Sequence, residues 1–241
     1  MAILVGIHPV REALAAGRAL DRVLIAKGAG GARVQEIVDL CRSLKVAVRF
    51  EERNALDKYA GGSKHQGVVA LGAEKQYGDL ENLPDHDLLI MLDGVEDPHN
   101  LGAILRSAGA VGAGAIIIPE RRAVGVTSTV AKAAAGALEH VPVVRVVNLS
   151  QALEKLKERG YWSYGLDERG DREYTDADYA TKSVVVLGAE GRGLHEKLRE
   201  KCDFLLRIPM EGAVPSLNVS VAAGVVLFDW KRQTKSTKKQ K

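Results

Sequence analysis

Apolar residues along this chain fall into two patterns that take turns: short unbroken runs and stripes of period 3.6. Residues 88–92 and 115–118 are runs of the first kind. Between them Leu101, Ile104, Leu105, Ala108 and Val111 share one side of a helix over 101–112. Asp97-Pro98 punctuates the turn before it, and Asn100 is suited to cap it. The alternation continues with a helix over 127–137, a strand over 141–146 and a helix over 149–159. Strands over 161–166 and 183–187, a helix over 194–201, a strand over 204–208 and a helix over 217–231 complete it. Continuous apolar strands separated by helices predict an α/β fold with a parallel sheet covered on both faces. The acidic stretch 167–179 reads as a surface loop.

A smaller α/β module precedes this one. Its pattern predicts helices over 8–16, 32–44 and near 54–59, and strands over 22–26, 46–50 and 67–71. Residues 73–83 are polar and lack a period, which places the linker there. The expected division is a module over 1–72, a linker over 73–84, a domain over 85–232 and a disordered basic tail over 233–241.

Charge sharpens this division. The net charge of +3 separates into +4 over residues 1–72, −7 over 73–230 and +6 over 231–241. Basic ends around an acidic middle favour a polyanion held by the flanking parts. No apolar run reaches the roughly 20 residues needed to span a bilayer, and no secretion signal is visible. Cys41 and Cys202 lie far apart, without zinc or CxxC spacing, and are expected as reduced core residues of a cytoplasmic protein.

Candidate chemistry sits in the turns. Arg106 falls opposite the apolar stripe, flanked by Gly102, Ala103, Gly109 and Ala110 where a solvated face would carry Lys and Glu. Each glycine within a helix costs about 1 kcal/mol relative to Ala, so either a phosphate, ligand or second subunit approaches this face, or Arg106 is an ordinary exposed residue. Two strand-to-helix loops follow. The loop 187–194 has glycines at 188, 191 and 193 with Glu190 as its carboxylate, an order that fits neither a dinucleotide fingerprint nor a phosphate loop. The loop 208–218 ends on Ser216, suited to cap the last helix, and on Asn218, a mediocre helix former in its first turn. In the small module the loop 61–66 carries Lys64 and His65, either contacts for phosphate or base or simply solvated side chains.

The segments DPHNLGAILRSAG, LGAEGRGL and IPMEGAVPSLNVSVAAG together resemble the SpoU/TrmH family of RNA ribose 2'-O-methyltransferases. The small module, with Gly6-Ile7-His8 and His65-Gln66-Gly67, is similar to the ribosomal-protein-like RNA-binding domain of its RlmB-type branch. The resemblance implies a deep trefoil knot in the C-terminal domain, S-adenosyl-L-methionine as methyl donor, no metal, and a homodimer whose active sites lie near the subunit interface. It implies that Gly188, Ile208, Met210 and Leu217 hold the donor and that Asn100, Arg106, Glu190, Ser216 and Asn218 form the catalytic group. Lys64 and His65 would meet RNA. Gly109 and Pro215 depart from the family's usual residues. The implied substrate is 23S ribosomal RNA, at a guanosine of the peptidyl-transferase region. Transfer RNA as substrate and a non-catalytic role in ribosome assembly are the alternatives. A neutral guanidinium at pH 7 costs at least about 7 kcal/mol, so Arg106 is expected to act as a cation that holds phosphate and steadies alkoxide charge while the proton leaves elsewhere.

Overall fold

The computed structural model describes residues 2–72, 76–189, 191–213 and 216–238, with side chains to Lys235. The chain forms two compact units: Met1–Gln76 with Val126–His140, and Tyr77–Gly125 with Val141–Lys241.

The first unit holds strands β1 (Ala2–Val5), β2 (Leu20–Ala26), β3 (Ala47–Glu51) and β4 (Val68–Gly72), with helices α1 (Ile7–Ala15), α2 (Ala32–Ser43) and α3 (Arg53–Ala60). Its sheet runs β1-β4-β2-β3, with β2 and β3 parallel and β4 antiparallel to both its neighbours. Val10, Leu14, Val34, Ile37 and Cys41 bury one face of the sheet, and Leu56 of α3 buries the other. The sequence pattern missed β1, whose four residues are too few to show a period. It also drew one helix over 127–137 in the larger domain. The segment instead forms α5 (Ser128–Ala133) and a 3-10 turn (Ala137–Glu139) within the first unit, because Ala135 and Gly136 both take positive φ and end the helix.

The second unit contains β5 (Leu88–Asp93), α4 (Pro98–Val111), β6 (Ala115–Pro119), β7 (Val143–Val146), α6 (Leu149–Glu158) and β8 (Trp162–Leu166). They are followed by β9 (Arg172–Glu173), β10 (Ser183–Gly188), α7 (Glu196–Arg199), β11 (Phe204–Arg207) and α8 (Val219–Lys238). Its strands form one parallel sheet ordered β7-β6-β5-β10-β8-β11-β9, as the apolar runs predict. Leu153 and Leu156 of α6 and Leu198 of α7 pack with Leu89, Met91, Val184 and Val186 into one core cluster. Helices α4 and α8 pack on each other and against β6 and β10.

Several expectations give way to packing. Leu80 and Leu83, inside the stretch read as linker, are buried in the core of the second unit. Residues 167–179 are not a loose loop: Arg172–Glu173 adds an edge strand beside β11, and Tyr179 is buried against Tyr164. Helix α8 continues to Lys238, into the stretch expected to be a disordered tail. Residues 239–241 lie outside the described residues.

Both cysteines are free thiols. Burial pushes the Cys41 thiol up to about 11 and dominates at Cys202, which rises to about 12, so neither carries a reactive thiolate near neutrality. Among the described residues no helix is long and apolar enough to cross a membrane, and no cluster of His, Cys, Asp and Glu is built for a metal ion.

Candidate active site

The carboxyl ends of β5, β10 and β11 lead into the three loops singled out by the sequence. The first caps its helix one turn earlier than expected. Asp97, not Asn100, is the N-cap of α4; its carboxylate accepts from His99 N at 2.7 Å, and Pro98 takes the first helical position, where its missing N–H costs nothing. Asn100 is thereby released from capping and buried inside the first turn.

The last helix shifts the other way. Asn218, not Ser216, caps α8: its Oδ1 accepts from Ser220 N at 2.9 Å, and its backbone oxygen accepts from Val221 and Ala222. Its side-chain amide donates to Asn100 Oδ1 at 3.1 Å. One hydrogen bond thus joins the first and third loops.

The second loop folds back on itself, with Ala189 bridged to Gly193. At Gly188 a Cβ would lie 2.2 Å from the Gly193 carbonyl carbon and 2.5 Å from Leu194 N, so the chain passes over itself there with no space for a side chain. Gly191 and Gly193, at φ 73° and 65°, provide the left-handed turn.

Two cavities open around this crossing. One, of about 690 Å³, is lined on its apolar side by Ile208, Met210, Leu217, Val219 and Ala222, and on its polar side by Asp167, Glu168 and Glu173. Ser216 also lines it. Its polar rim is fixed by charge: Arg169 grips the Asp167 carboxylate through Nε at 2.8 Å and a terminal nitrogen at 3.0 Å. That guanidinium holds the Asp167 carboxyl below the usual carboxylate range although burial opposes it. Arg207 reaches Gly170 O at 3.1 Å and closes the same edge.

The other cavity, of about 640 Å³, is lined by Gly94, Asp97, Asn100, Arg122 and His195 among others. Ala189, Arg192 and Val219 belong to the walls of both. Nothing in the spacing of the sequence marks Arg122, Arg192, His195 or the carboxylates of the first cavity as site residues.

The expected site residues therefore divide. Asn100, Ser216, Leu217, Asn218, Ile208 and Met210 converge on these two cavities or on the hydrogen bond beside them, and Gly188 lies where the second loop folds back on itself. Arg106 is exposed on α4 and lines neither cavity of its own chain. Glu190, expected in the catalytic group, and Pro215 lie outside the described residues. In the first unit Lys64 is exposed, whereas the His65 side chain is only 3% exposed, with Nε2 3.0 Å from Asp57 Oδ1 and Nδ1 accepting from Gly67 N. Both nitrogens of His65 serve the loop.

The sequence pattern of the SpoU rRNA Methylase family matches residues 87–228, which contain all three loops. The chain belongs to this family. As a SpoU-family protein it is an RNA methyltransferase, and residues 3–78 match the pattern described as RNA 2'-O ribose methyltransferase substrate binding. It is 41% identical over 233 residues to a putative TrmH family tRNA/rRNA methyltransferase, YacO of Bacillus subtilis, covering 94% of this chain and 93% of that one. Two solved structures with bound AdoMet share its fold. AviRb of Streptomyces viridochromogenes aligns with a TM-score of 0.83 at 26% identity, covering 97% of the SpoU-family chain and 90% of its own. An rRNA methyltransferase of Sinorhizobium meliloti aligns with a TM-score of 0.82 at 25% identity, covering 96% and 87%.

Proposed function

We propose that the 690 Å³ cavity holds S-adenosyl-L-methionine, that the 640 Å³ cavity receives a ribose of ribosomal RNA, and that the enzyme methylates its 2'-hydroxyl. The observation that carries this reading is the shared wall of Ala189, Arg192 and Val219, beside the Asn100–Asn218 hydrogen bond. Two substrates that must exchange a methyl group need adjoining sites with a common boundary.

The first cavity suits the donor. Its volume falls within the usual range for a small-molecule site. Ile208, Met210 and Leu217 offer an apolar slot for a flat heterocycle, and Glu173 and Glu168 offer acceptors for sugar hydroxyls or an ammonium. Beyond Gly191 and Gly212 there is open space where a Cβ would stand, which leaves backbone groups approachable. The bound donor supplies an electrophilic methyl on a sulfonium. Asn100 and Asn218 hold the two helix ends that frame the ribose, Ser216 faces the donor, and Arg122 and Arg192 can pair with the RNA backbone.

Arg106 and Glu190 complete the catalytic group in this reading, Arg106 acting on the site of a second copy. Val221 and Phe228, seven residues apart on α8, are 51% and 54% exposed, an apolar strip that a homodimer would cover. The trefoil knot fits the strand order, in which β10 lies between β5 and β8. The first unit would recruit RNA, with Lys64 on its exposed loop, and the family branch it resembles points to a guanosine of the peptidyl-transferase region in 23S RNA.

Two measurements test this. Calorimetric titration should show saturable binding of S-adenosylhomocysteine and none of NAD. Incubation with labelled donor should place the label in alkali-stable dinucleotides from large-subunit RNA. Label in transfer RNA alone would redirect the substrate, and label in bases would overturn the chemistry.

A further inference from the structure

Asp93 ends β5, and its carboxylate is bound twice by a residue 102 positions later: the backbone N–H of His195 donates to Oδ2 at 2.8 Å, and Nδ1 lies 2.9 Å from both oxygens. The Asp93 side chain is 9% exposed and that of His195 52%. A buried carboxylate against Nδ1 keeps the proton on that nitrogen and turns Nε2 of the neutral ring into the acceptor. His195 lines the 640 Å³ cavity together with Asn100. The same cavity wall includes Arg122, which holds a left-handed backbone at φ 58° that only glycine adopts without strain.

We propose that His195, oriented by Asp93, accepts the proton of the ribose hydroxyl during methyl transfer; this rests on the reading of the 640 Å³ cavity as the ribose site. The O–H bond of the 2'-hydroxyl breaks as its proton passes to Nε2. The freed electron pair forms the new O–CH3 bond, and the S–CH3 bond breaks with its pair left on sulfur, which becomes a thioether. The imidazolium then returns its proton to water. A guanidinium carries only N–H donors, whereas the neutral imidazole offers a lone pair on Nε2, so the division of labour gives the proton to His195 and leaves Arg106 to bind charge. Among the described residues, the charged groups that share the cavity wall with His195 are Glu96, Asp97, Arg122 and Arg192, with Asp93 against its Nδ1 and Glu196 following it on α7.

The test uses the full-length protein with His195→Gln. With saturating RNA and donor, single-turnover methylation should slow by about 10²- to 10⁴-fold, the range of general-base catalysis, while affinity for S-adenosylhomocysteine stays within about twofold. In the donor-free protein, nitrogen-15 NMR should show His195 protonated at Nδ1, and Asp93→Asn should shift the ring to a mixture of tautomers. Rates within about threefold of wild type, or a ring protonated at Nε2 in the wild type, would overturn the assignment. Should the wild type bind no S-adenosylhomocysteine, the donor cavity has been misread. The tautomer still decides for or against the pair, as it also does if the Gln variant loses its fold.

Discussion

The side-chain amide of Asn218 donates to Asn100 Oδ1 at 3.1 Å, tying the cap of α8 to the first turn of α4 across 118 residues of chain. Capping and bridging use different atoms of Asn218, so substitution can separate them. Asn218→Ala removes both, costing about 1 kcal/mol for the cap and about 1 for the bridge, and should lower Tm by roughly 4–8 °C. Asn218→Asp retains the cap acceptor but loses the donor, so it should lower Tm by only about 2–4 °C and still lose methylation. Differential scanning calorimetry and a methyl-transfer assay on the two variants check this. Equal activity in Asn218→Asp and wild type would confine Asn218 to capping.

Two glycines of one loop should answer alike changes differently. Gly188→Ala places a methyl 2.2 Å from backbone carbon and has nowhere to move, whereas Gly191→Ala meets nothing within 4 Å and costs only its left-handed φ of 73°. Gly191→Ala should lose about 1 kcal/mol by urea denaturation. Gly188→Ala should lose at least about 3 kcal/mol and S-adenosylhomocysteine binding with it.

Arg18 and Glu139 meet at 2.8 Å with side chains 11% and 5% exposed, and they fasten the 3-10 turn of residues 137–139 to the first unit. Breaking so buried a pair by removing one member costs about 3–5 kcal/mol. Glu139→Ala should therefore destabilise strongly, and Arg18→Met with Glu139→Leu should recover most of the loss. A double variant no more stable than either single one would contradict this. Deleting residues 1–72 would remove the same support from Val130 and Leu138, which are buried, so such a truncation perturbs more than RNA recruitment.

Acid should find the donor cavity through Asp167. Because Arg169 depresses its folded-state pKa below the ordinary 3.8, the carboxylate contributes stability that is complete above that value and disappears as pH falls through the lower, folded one. The Tm advantage of wild type over Asp167→Asn should be constant from neutrality to about pH 5 and shrink below about pH 4. An advantage that persists at pH 2 would mean packing, not charge, is responsible.

Long-range chemistry is what the pattern of residues could not convey. The parallel sheet and the alternation of the first unit follow from apolar runs and stripes, and the three loops were visible through their glycines and caps. Asp97-Pro98 even carried the signal for the true cap of α4, since proline favours the position just after it. The two-residue strand Arg172–Glu173 is too short for any period, and Leu80 and Leu83 look like scattered residues in a polar stretch until they are seen in the core. Asp93 and His195 are unremarkable letters in separate loops; only the register that sets Gly188 beside Asp93 brings them within 2.9 Å.

The most direct test of ribose methylation is a mass-spectrometric map of 2'-O-methylated nucleotides in RNA from cells with and without the protein. One modified ribose in large-subunit ribosomal RNA should be lost, should return with the wild-type protein and should stay absent with Asn100→Ala. An unchanged ribosomal map, with or without the protein, would contradict the account.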